Sequence, residues 1–305
     1  MRIGLPQRPA LISAVLTVVF VIWSWHSGML ADWRGPWERV HWSTWAWVAT
    51  GMLASYGLRA WRIRREFADV AGMNWRLSLR IVLAHMALVN VLPMRSGELG
   101  FPWLMRRALN VAWLDASASL LWLRLQDACV LATLAAWIWP DLTDTVRIGW
   151  TVLLWSGVAL AIWVVRHHGL RDHGQQPTRL ALLTQALSRR GQRMAQGWLI
   201  TVMNWTLKLS LQAWLLSQLL DRDWSAGWAG SLGAELSALL PVQGLAGVGS
   251  YEAGSAAAMR WHGVPWNDGL QAALNMHLCL LACSVSFGLI AWWLPRPLVT
   301  RHNDG

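Results

Sequence analysis

Charged residues are scarce in this chain of 305 residues. They make up 14% of the sequence, whereas a soluble domain has about 25%. Hydrophobic residues make up 55%, and several stretches approach the roughly 20 apolar residues that a helix needs to cross a bilayer. The composition therefore excludes an ordinary soluble domain and predicts an all-α polytopic membrane protein.

Cysteine is also rare, and the usual catalytic motifs are missing. Cys129, Cys279 and Cys283 lie in apolar segments, where we expect them to pack as small apolar side chains. His277 does not share a helix face with the last two, so the pattern does not predict a metal site. The sequence contains no Walker loop, dinucleotide fingerprint or Ser-His-Asp arrangement. We therefore expect a transporter rather than an enzyme, with no cofactor and no metal.

The net charge of +10 does not indicate nucleic-acid binding. The arginines lie in the loops between apolar segments rather than in a stripe on a soluble domain, and arginines in such loops set membrane orientation. We therefore expect no nucleic-acid partner.

Many of the 26 tryptophans lie near the ends of apolar segments, where the ring suits the lipid headgroup region. Trp122, Trp163, Trp205 and Trp214 lie in the middle of segments, where they either pack internally or face lipid.

Two of the apolar segments are interrupted. Six others are long enough to span a membrane, at roughly 10–31, 41–60, 113–139, 148–165, 197–220 and 269–294. The interrupted ones are 73–109 and 225–262. The run 77–92 would extend only about 24 Å as a helix, which is less than the ~30 Å hydrocarbon core. We therefore predict six full transmembrane helices and two re-entrant hairpins.

The distribution of arginines orients these segments. With both termini inside, the arginine-rich regions 59–80 and 166–193 face the cytoplasm, as the positive-inside rule requires. Two full spans in place of the hairpins would turn the 166–193 region outward, which favours the hairpins. We therefore expect a multi-pass protein of the bacterial inner membrane with both termini in the cytoplasm.

The N-terminal apolar run is too long for a signal-peptide core, and we interpret it as a retained anchor.

The two halves have the same order of segments: two spans, a hairpin and a span. Their predicted orientations are opposite, with one hairpin entering from each side, and this predicts an inverted repeat. The first membrane repeat is predicted at 1–165, with its hairpin at about 73–109, and a cytoplasmic polar linker follows at 166–196. The second repeat begins with the span 148–165 and continues through 197–305, with its hairpin at about 225–262.

Both interruptions carry proline, glycine and carboxylate residues. The first reads Asn90-Val-Leu-Pro93-Met-Arg95-Ser-Gly97-Glu98, and the second runs from Glu235 through Pro241, Gly247 and Gly249 to Glu252. Broken helices occur at membrane depth only where the freed backbone is buried in protein or lines a cavity. Paired breaks at corresponding positions of two repeats point to the substrate site of a transporter. We therefore predict that the two breaks meet near the middle of the membrane.

Ionisable side chains at membrane depth cost about 2.5–3.5 kcal/mol on insertion scales, so each is a candidate functional residue. In the functional interpretation, Arg95 and the N-termini of the broken helices attract an anionic headgroup, while Glu98 and Glu252 bind a cation or carry protons. In the structural alternative, Arg95 and Glu98 form a local ion pair and Glu252 caps a helix. The two interpretations remain open at this point.

Other polar residues in the apolar segments complete the candidate site. Arg124 and Asp127 lie three residues apart and can pair on one helix face, as a buried ion pair that braces the cavity. Glu235 has either a site role or a structural role, and Lys208, the only lysine, either neutralises a carboxylate or lies in an aqueous vestibule. His85 and Asn90 fit hydrogen bonding between helices. The predicted substrate-binding residues are Asn90, Pro93, Arg95, Gly97, Glu98, Arg124, Asp127, Glu235, Pro241, Gly247, Gly249 and Glu252.

These motifs resemble those of a flippase-like family typified by the membrane domain of lysylphosphatidylglycerol synthase, the multiple peptide resistance factor. The family's Asn…Pro-x-x-x-Gly-Glu/Asp, Arg-x-x-Asp and Pro…Gly-Gly-x-Gly-x-x-Glu patterns correspond to Asn90, Pro93, Gly97 and Glu98, to Arg124 and Asp127, and to Pro241, Gly247, Gly249 and Glu252. One departure is Gln243-Gly244-Leu245-Ala246-Gly247, where the family has a turn similar to Pro-Gly-Gly.

The resemblance implies lipid translocation rather than lipid aminoacylation, because it extends to the membrane domain and not to a soluble aminoacyltransferase domain. Members of the family are linked to aminoacylated phospholipids, polyprenyl-phosphate sugars and hopanoid-associated lipids. The resemblance therefore implies a membrane lipid as the substrate but leaves the lipid open.

We expect a flippase-like or scramblase-like protein that moves an anionic phospholipid or a polyprenyl-phosphate-linked lipid between leaflets, passively or coupled to protons. One alternative is a secondary transporter of a small soluble solute, whose cavity would open only to water. Another is a non-transporting membrane partner of a glycosyltransferase or lipid-modifying enzyme, whose centre would be closed. An integral membrane enzyme is a weaker alternative. A partner enzyme and a homo-oligomer are both compatible with the sequence.

The arginine distribution makes a topology prediction. Single cysteines introduced at 61–72 or 170–193 in a cysteine-free background should resist a membrane-impermeant maleimide added outside the cell. Cysteines at 32–39 or 221–223 should react with it. Labelling of position 175 from the outside would contradict the two-hairpin arrangement.

Overall fold

The apolar segments form helices, and every regular element in the part of the chain that the structure describes is helical. The computed structural model describes residues 7–28, 35–139, 141–169, 194–240 and 243–293. The helices are α1 (Gln7–His26), α2 (Gly35–Arg39), α3 (Trp42–Glu66), α4 (Trp75–Val91), α5 (Gly100–Leu109), α6 (Trp113–Ile138), α7 (Asp144–Gly169), α8 (Met194–Leu220), α9 (Trp224–Ser237), α10 (Ser250–Arg260) and α11 (Trp266–Trp293). The six predicted spans correspond to the long helices α1, α3, α6, α7, α8 and α11.

The first predicted break is present between α4 and α5. Asn74 caps the start of α4 by accepting a hydrogen bond from the Leu77 N–H at 2.9 Å. The helix ends at Val91, and Leu92 is extended (φ −79°, ψ 139°), as expected for a residue before proline. A 3₁₀-helix at Pro93–Leu99 then leads into α5. The proline therefore ends one helix and starts the turn into the next.

The second predicted break lies between α9 and α10. A 3₁₀-helix at Leu245–Gly247 lies within it. The side-chain amide of Gln243 donates to the carbonyls of Ala238 (2.6 Å) and Leu240 (2.9 Å). These carbonyls follow the end of α9 and have no continuing helix to pair with. The glutamine that departs from the family's turn therefore satisfies backbone groups freed by the break.

The two breaks contact each other, as predicted, and α1 contacts both. The Ser13 hydroxyl donates to the Gln243 carbonyl at 2.7 Å, and the Thr17 hydroxyl accepts from the Leu245 N–H at 2.7 Å. Protein groups thus replace the water that a hydrocarbon environment cannot provide.

The helix order and contacts of the first half recur in the second. Helix α3 packs on α4 as α8 packs on α9, and α5 packs on α6 as α10 packs on α11. The halves join where α3 packs on α8 and α4 on α11. The largest buried cluster lies at this junction and includes Met52, Tyr56, Leu83, Leu215 and Met276.

The outside of the bundle is apolar. Val19 on α1, Leu153 on α7 and Leu289 on α11 have exposed fractions of 57%, 68% and 60%, and contiguous apolar surface of this kind marks a membrane or protein contact. By length and apolar composition, α6 and α11 qualify as helices able to cross a membrane. Of the tryptophans in the middle of segments, Trp205 is buried inside the bundle and Trp163 is exposed on its outside.

Some sequence predictions fall outside the described residues. These are most of the polar linker (170–193), both chain ends and Pro241. The backbone of the first break is described, but the side chains of Pro93 and Arg95 are not. The three cysteines are described, buried and free.

Gly97 is placed where a side chain does not fit. A Cβ atom at this position would lie 2.2 Å from the carbonyl oxygen of Leu88 on α4, which is backbone and cannot move aside alone. We expect Gly97→Ala to lower the free energy of unfolding by about 1–3 kcal/mol, the usual cost of overpacking. Thermal unfolding in detergent measures the effect.

Gly149→Ala on α7 is the matched control, because a Cβ atom there meets no atom within 4 Å. We expect this variant to melt at or slightly above the wild-type temperature, because alanine has the higher helix propensity. Equal melting of the two variants would contradict the close packing at Gly97.

Candidate functional site

A cavity of about 630 Å³ lies between the helices and reaches both breaks. Helices α3, α4, α6, α8, α9 and α11 all contribute to its wall. The polar side chains that line it are Tyr56, Arg59, Asn90, Glu98, Ser117, Arg124, Asp127, Lys208, Glu235, Gln243, Tyr251 and His277. The cavity therefore brings together residues that are far apart in the sequence.

Asp127 is the centre of the first charged cluster. Its Oδ1 accepts hydrogen bonds from Arg62 Nη1 (2.6 Å) and the Trp205 indole N–H (3.1 Å), and its Oδ2 accepts from Arg124 Nη1 (3.2 Å). Asp127 and Arg62 are both buried. The predicted Arg124–Asp127 pair is present, but Arg62 makes the shorter contact, so the expectation of a simple pair was incomplete.

Arg124 also reaches the first break. Its Nη2 lies 2.8 Å from Glu98 Oε1 and 3.0 Å from Glu98 Oε2, so this one nitrogen contacts both oxygens of the carboxylate while Nη1 contacts Asp127. His85 Nε2 lies 3.5 Å from Glu98 Oε2. Glu98 is thus held by groups on α4 and α6, and the break is linked to Asp127 through Arg124.

Glu235 is the centre of a second charged cluster. Lys208 Nζ lies 2.6 Å from Glu235 Oε1. The Gln212 amide and the Tyr251 hydroxyl donate to the same oxygen at 2.8 Å and 3.2 Å. Lys208 also lies over the Trp205 ring, 5.1 Å from its centroid. The lysine whose role the sequence left open therefore pairs with a carboxylate at the cavity wall.

Glu252 has the geometry of the structural alternative. Its Oε2 accepts the Gly249 N–H at 2.6 Å, which caps α10, and its Oε1 lies 2.6 Å from His277 Nδ1. Gly249 is in a left-handed conformation (φ +91°), as is Gly247 (φ +83°), which favours glycine. Glu252 is fully buried, and His277, which lines the cavity, contacts it. Any effect of Glu252 on a bound molecule would pass through His277.

Asn90 donates a hydrogen bond to the Ser284 hydroxyl at 2.9 Å. This bond joins α4 to α11 and fits the interpretation of Asn90 as a link between helices. Asn90 also lines the cavity, so a structural role and contact with a bound molecule are compatible.

The predicted site residues have three placements. Those that line the cavity are Asn90, Glu98, Arg124, Asp127, Glu235 and Gly247. Gly97, Gly249 and Glu252 shape the breaks beside it. Pro241 and the side chains of Pro93 and Arg95 lie outside the described residues.

Several residues that line the cavity or contact its lining were missed from the sequence. Arg59 and Arg62 were assigned to a cytoplasmic arginine cluster, yet both are buried on α3. Tyr56, Arg59 and Arg62 recur at intervals of three residues, and this spacing could have shown that they share a helix face. Trp205 and His277 had no comparable signal, because only the packing of helices brings them to carboxylates.

The chain matches a known family of membrane domains. A family model described as the lysylphosphatidylglycerol synthase TM region matches residues 10–288. No curated protein and no solved structure matches the chain.

The Asp127 cluster makes a stability prediction. Asp127→Asn removes the negative charge that compensates the buried Arg62 and the part-buried Arg124, so we expect a loss of about 3–5 kcal/mol in the free energy of unfolding. Asp144→Asn is the matched control, because it breaks an Asp–Arg pair of the same i, i+3 spacing, Asp144–Arg147, whose aspartate is 81% exposed. Thermal unfolding should separate the two variants clearly. Equal melting temperatures would show that Asp127 does not stabilise the bundle.

Proposed function

Because the chain belongs to the family of the lysylphosphatidylglycerol synthase transmembrane region, we propose that it is a lipid transporter. In this proposal it moves an anionic phospholipid or a polyprenyl-phosphate-linked lipid between the two leaflets. The headgroup passes through the charged cavity while the hydrocarbon chains stay in the bilayer. The chain acts as a transporter and not as an enzyme.

One observation carries this proposal: the cavity has a charged interior and an apolar, exposed edge. Leu99, Leu121 and Leu239 line the cavity and have exposed fractions of 66%, 62% and 41%. A lipid needs both surfaces at once, because its headgroup must be paired and its chains must remain in an apolar medium. A carrier of soluble solutes has no need for apolar exposed residues at its entrance. The edge therefore favours a lipid over a soluble solute.

The membrane arrangement in this proposal is six full spans with two re-entrant hairpins in an inverted repeat. The two arms of the first hairpin, α4 and α5, have 17 and 10 residues, which is about 26 Å and 15 Å of helix. The arms of the second, α9 and α10, have 14 and 11 residues, about 21 Å and 17 Å. Neither arm of either hairpin reaches the ~30 Å of hydrocarbon. The repeated contacts within each half support the same arrangement.

In this arrangement, the protein lies in the bacterial inner membrane with both termini in the cytoplasm. The arginine-rich regions then share one side. The hairpins enter from opposite sides and meet at the breaks. Rocking of one half against the other would alternate the side to which the cavity opens.

The ion pairs of the cavity suggest how a headgroup is accepted. In the absence of lipid, Glu98 compensates Arg124 and Glu235 compensates Lys208. A headgroup phosphate can replace the carboxylate at either cation only if the displaced carboxylate takes up a proton, because a buried carboxylate without a cation is costly. Glu98 is 19% exposed at its side chain and is the carboxylate best placed to carry a proton if transport is proton-coupled.

Glu98→Gln tests the transport proposal. The change keeps the size of the side chain but removes its charge and its ability to carry a proton. We expect a folded protein whose lipid translocation falls at least about tenfold, the equivalent of one charge-assisted hydrogen bond. The measurement is dithionite quenching of fluorescent phosphatidylglycerol in liposomes that contain the purified protein.

Asp144→Asn serves as the transport control, because its ion pair with Arg147 lies on the surface, away from the cavity. It should translocate lipid at the wild-type rate. Translocation by well-folded Glu98→Gln at the wild-type rate would show that the Glu98 carboxylate is not needed for lipid transport. Wild-type protein that moves neither anionic phospholipids nor a polyprenyl-phosphate-linked lipid in liposomes would refute the transport proposal itself.

A further inference from the structure

One cation that lines the cavity takes part in no ion pair among the described residues. Three carboxylates line it, and each has a cationic partner: Glu98 pairs with Arg124, Asp127 pairs with Arg62 and Arg124, and Glu235 pairs with Lys208. Of the three arginine and lysine side chains that line the cavity in the described residues, Arg124 and Lys208 are in these pairs and Arg59 is not. Across the described ranges, no carboxylate lies within ion-pair distance of Arg59.

The surroundings of Arg59 explain why no protein anion reaches it. Its Nη1 lies 3.9 Å from the sulfur of Met86, and its guanidinium lies 5.4 Å from the centroid of the Trp205 ring. Its Nε has no hydrogen-bond partner. The nearby carboxylate of Asp127 already accepts from Arg62, Arg124 and Trp205. The side-chain N–H groups of Arg59 are thus left with only a thioether and an aromatic face.

This unpaired cation is buried. Arg59 is only 9% exposed, and a buried charge without a hydrogen-bonded counter-ion is among the most costly features a fold can contain. Such a cost is offset when a ligand supplies the anion. Arginine suits this role because its guanidinium offers several N–H donors in a planar fork that matches phosphate oxygens.

We propose that Arg59 is the anion-binding subsite of the cavity, and that it receives the singly charged phosphodiester of a lipid headgroup. The proposal rests on the proposed function and narrows its substrate class. One guanidinium without an ion pair can be paired by one negative charge. A phosphomonoester, with up to two negative charges, would bring an excess anion to a cavity whose other cations are already in ion pairs, and a zwitterionic headgroup would bring a cation without a partner.

The subsite also accounts for the two ends of the cavity. The exposed edge at Leu99 and Leu121 suits hydrocarbon chains, whereas Arg59 is buried beside Trp205. A phosphodiester at Arg59 would be shielded from water, which strengthens its interaction with the guanidinium. A lipid of moderate headgroup size can therefore occupy both ends together.

Thermal unfolding with short-chain ligands tests the subsite. Purified full-length protein in detergent is titrated with dihexanoylphosphatidylglycerol, with dihexanoylphosphatidylcholine and with inorganic phosphate. A ligand that binds the folded state raises the melting temperature according to its dissociation constant. We expect phosphatidylglycerol to stabilise the wild type most, because it has the single negative charge and the apolar chains.

Arg59→Gln should weaken phosphatidylglycerol binding at least about tenfold, since a hydrogen-bonded charge contact is lost. In the absence of ligand, the same variant should melt at or above the wild-type temperature, because it removes an unpaired buried charge. Arg59→Lys should give intermediate binding, because it retains the charge without the planar fork.

Arg62→Gln is the matched control. Arg62 lies three residues along α3 and is also buried, but it pairs with Asp127 and donates to the Leu123 carbonyl. Its loss should lower the ligand-free melting temperature. A structural cation and a ligand-binding cation are thus distinguished by opposite effects on ligand-free stability.

Three results would overturn the proposal. Equal stabilisation of wild type and Arg59→Gln by phosphatidylglycerol would show that Arg59 does not bind it. Stabilisation of the wild type by phosphatidylcholine equal to that by phosphatidylglycerol would show that binding does not depend on the net charge of the headgroup. Equal stabilisation by inorganic phosphate would assign the subsite to a soluble anion.

The failure of this proposal is distinguishable from the failure of the transport proposal. Lipid translocation at the same rate in wild type and Arg59→Gln, with equal ligand shifts, would refute the subsite and leave transport intact. Phosphatidylglycerol binding that depends on Arg59, in a wild-type protein that moves no lipid, would support the subsite and refute transport.

Discussion

Hydrocarbon cannot hydrogen-bond a freed backbone group, and the architecture of this protein depends on that constraint. Two helices are interrupted, one before Pro93 and one after Ser237, and each interruption releases N–H and C=O groups. Gln243 satisfies carbonyls after α9, and Ser13 and Thr17 of α1 satisfy groups of the second break. The two breaks lie against each other, so the polar backbone of both is gathered in one place.

Ion pairs beside the two breaks compensate the charged side chains of the cavity. Arg124 joins the first break to α6, and Lys208 joins α8 to α9, through carboxylates on the opposite helix. These pairs hold the helices in place and compensate the cavity when it is empty. Arg59 is the exception, since its counter-ion is absent from the described part of the protein. Under the proposed function, the arginines and carboxylates that stabilise the bundle are also the ones that contact the substrate.

Sequence reasoning succeeded where the signal is local. Proline and glycine within apolar segments predicted both breaks, and the predicted span boundaries lie within a few residues of the helix ends. The family resemblance was confirmed by the match over residues 10–288. The predicted contact between the breaks also holds. It could be inferred because lipid leaves few other places for exposed backbone.

The sequence by itself determined the helical membrane class, the positions of the breaks and the presence of unusual charges at depth, because composition, helix-breaking residues and segment length act along the chain. Only the tertiary structure decided which charges meet. Glu252 caps a helix instead of facing the cavity, and Arg62 is the closest partner of Asp127. Side-chain pairing depends on how helices pack, since distant segments such as α3, α6 and α8 supply the partners. Among the described residues, that same packing leaves Arg59 without an ion pair.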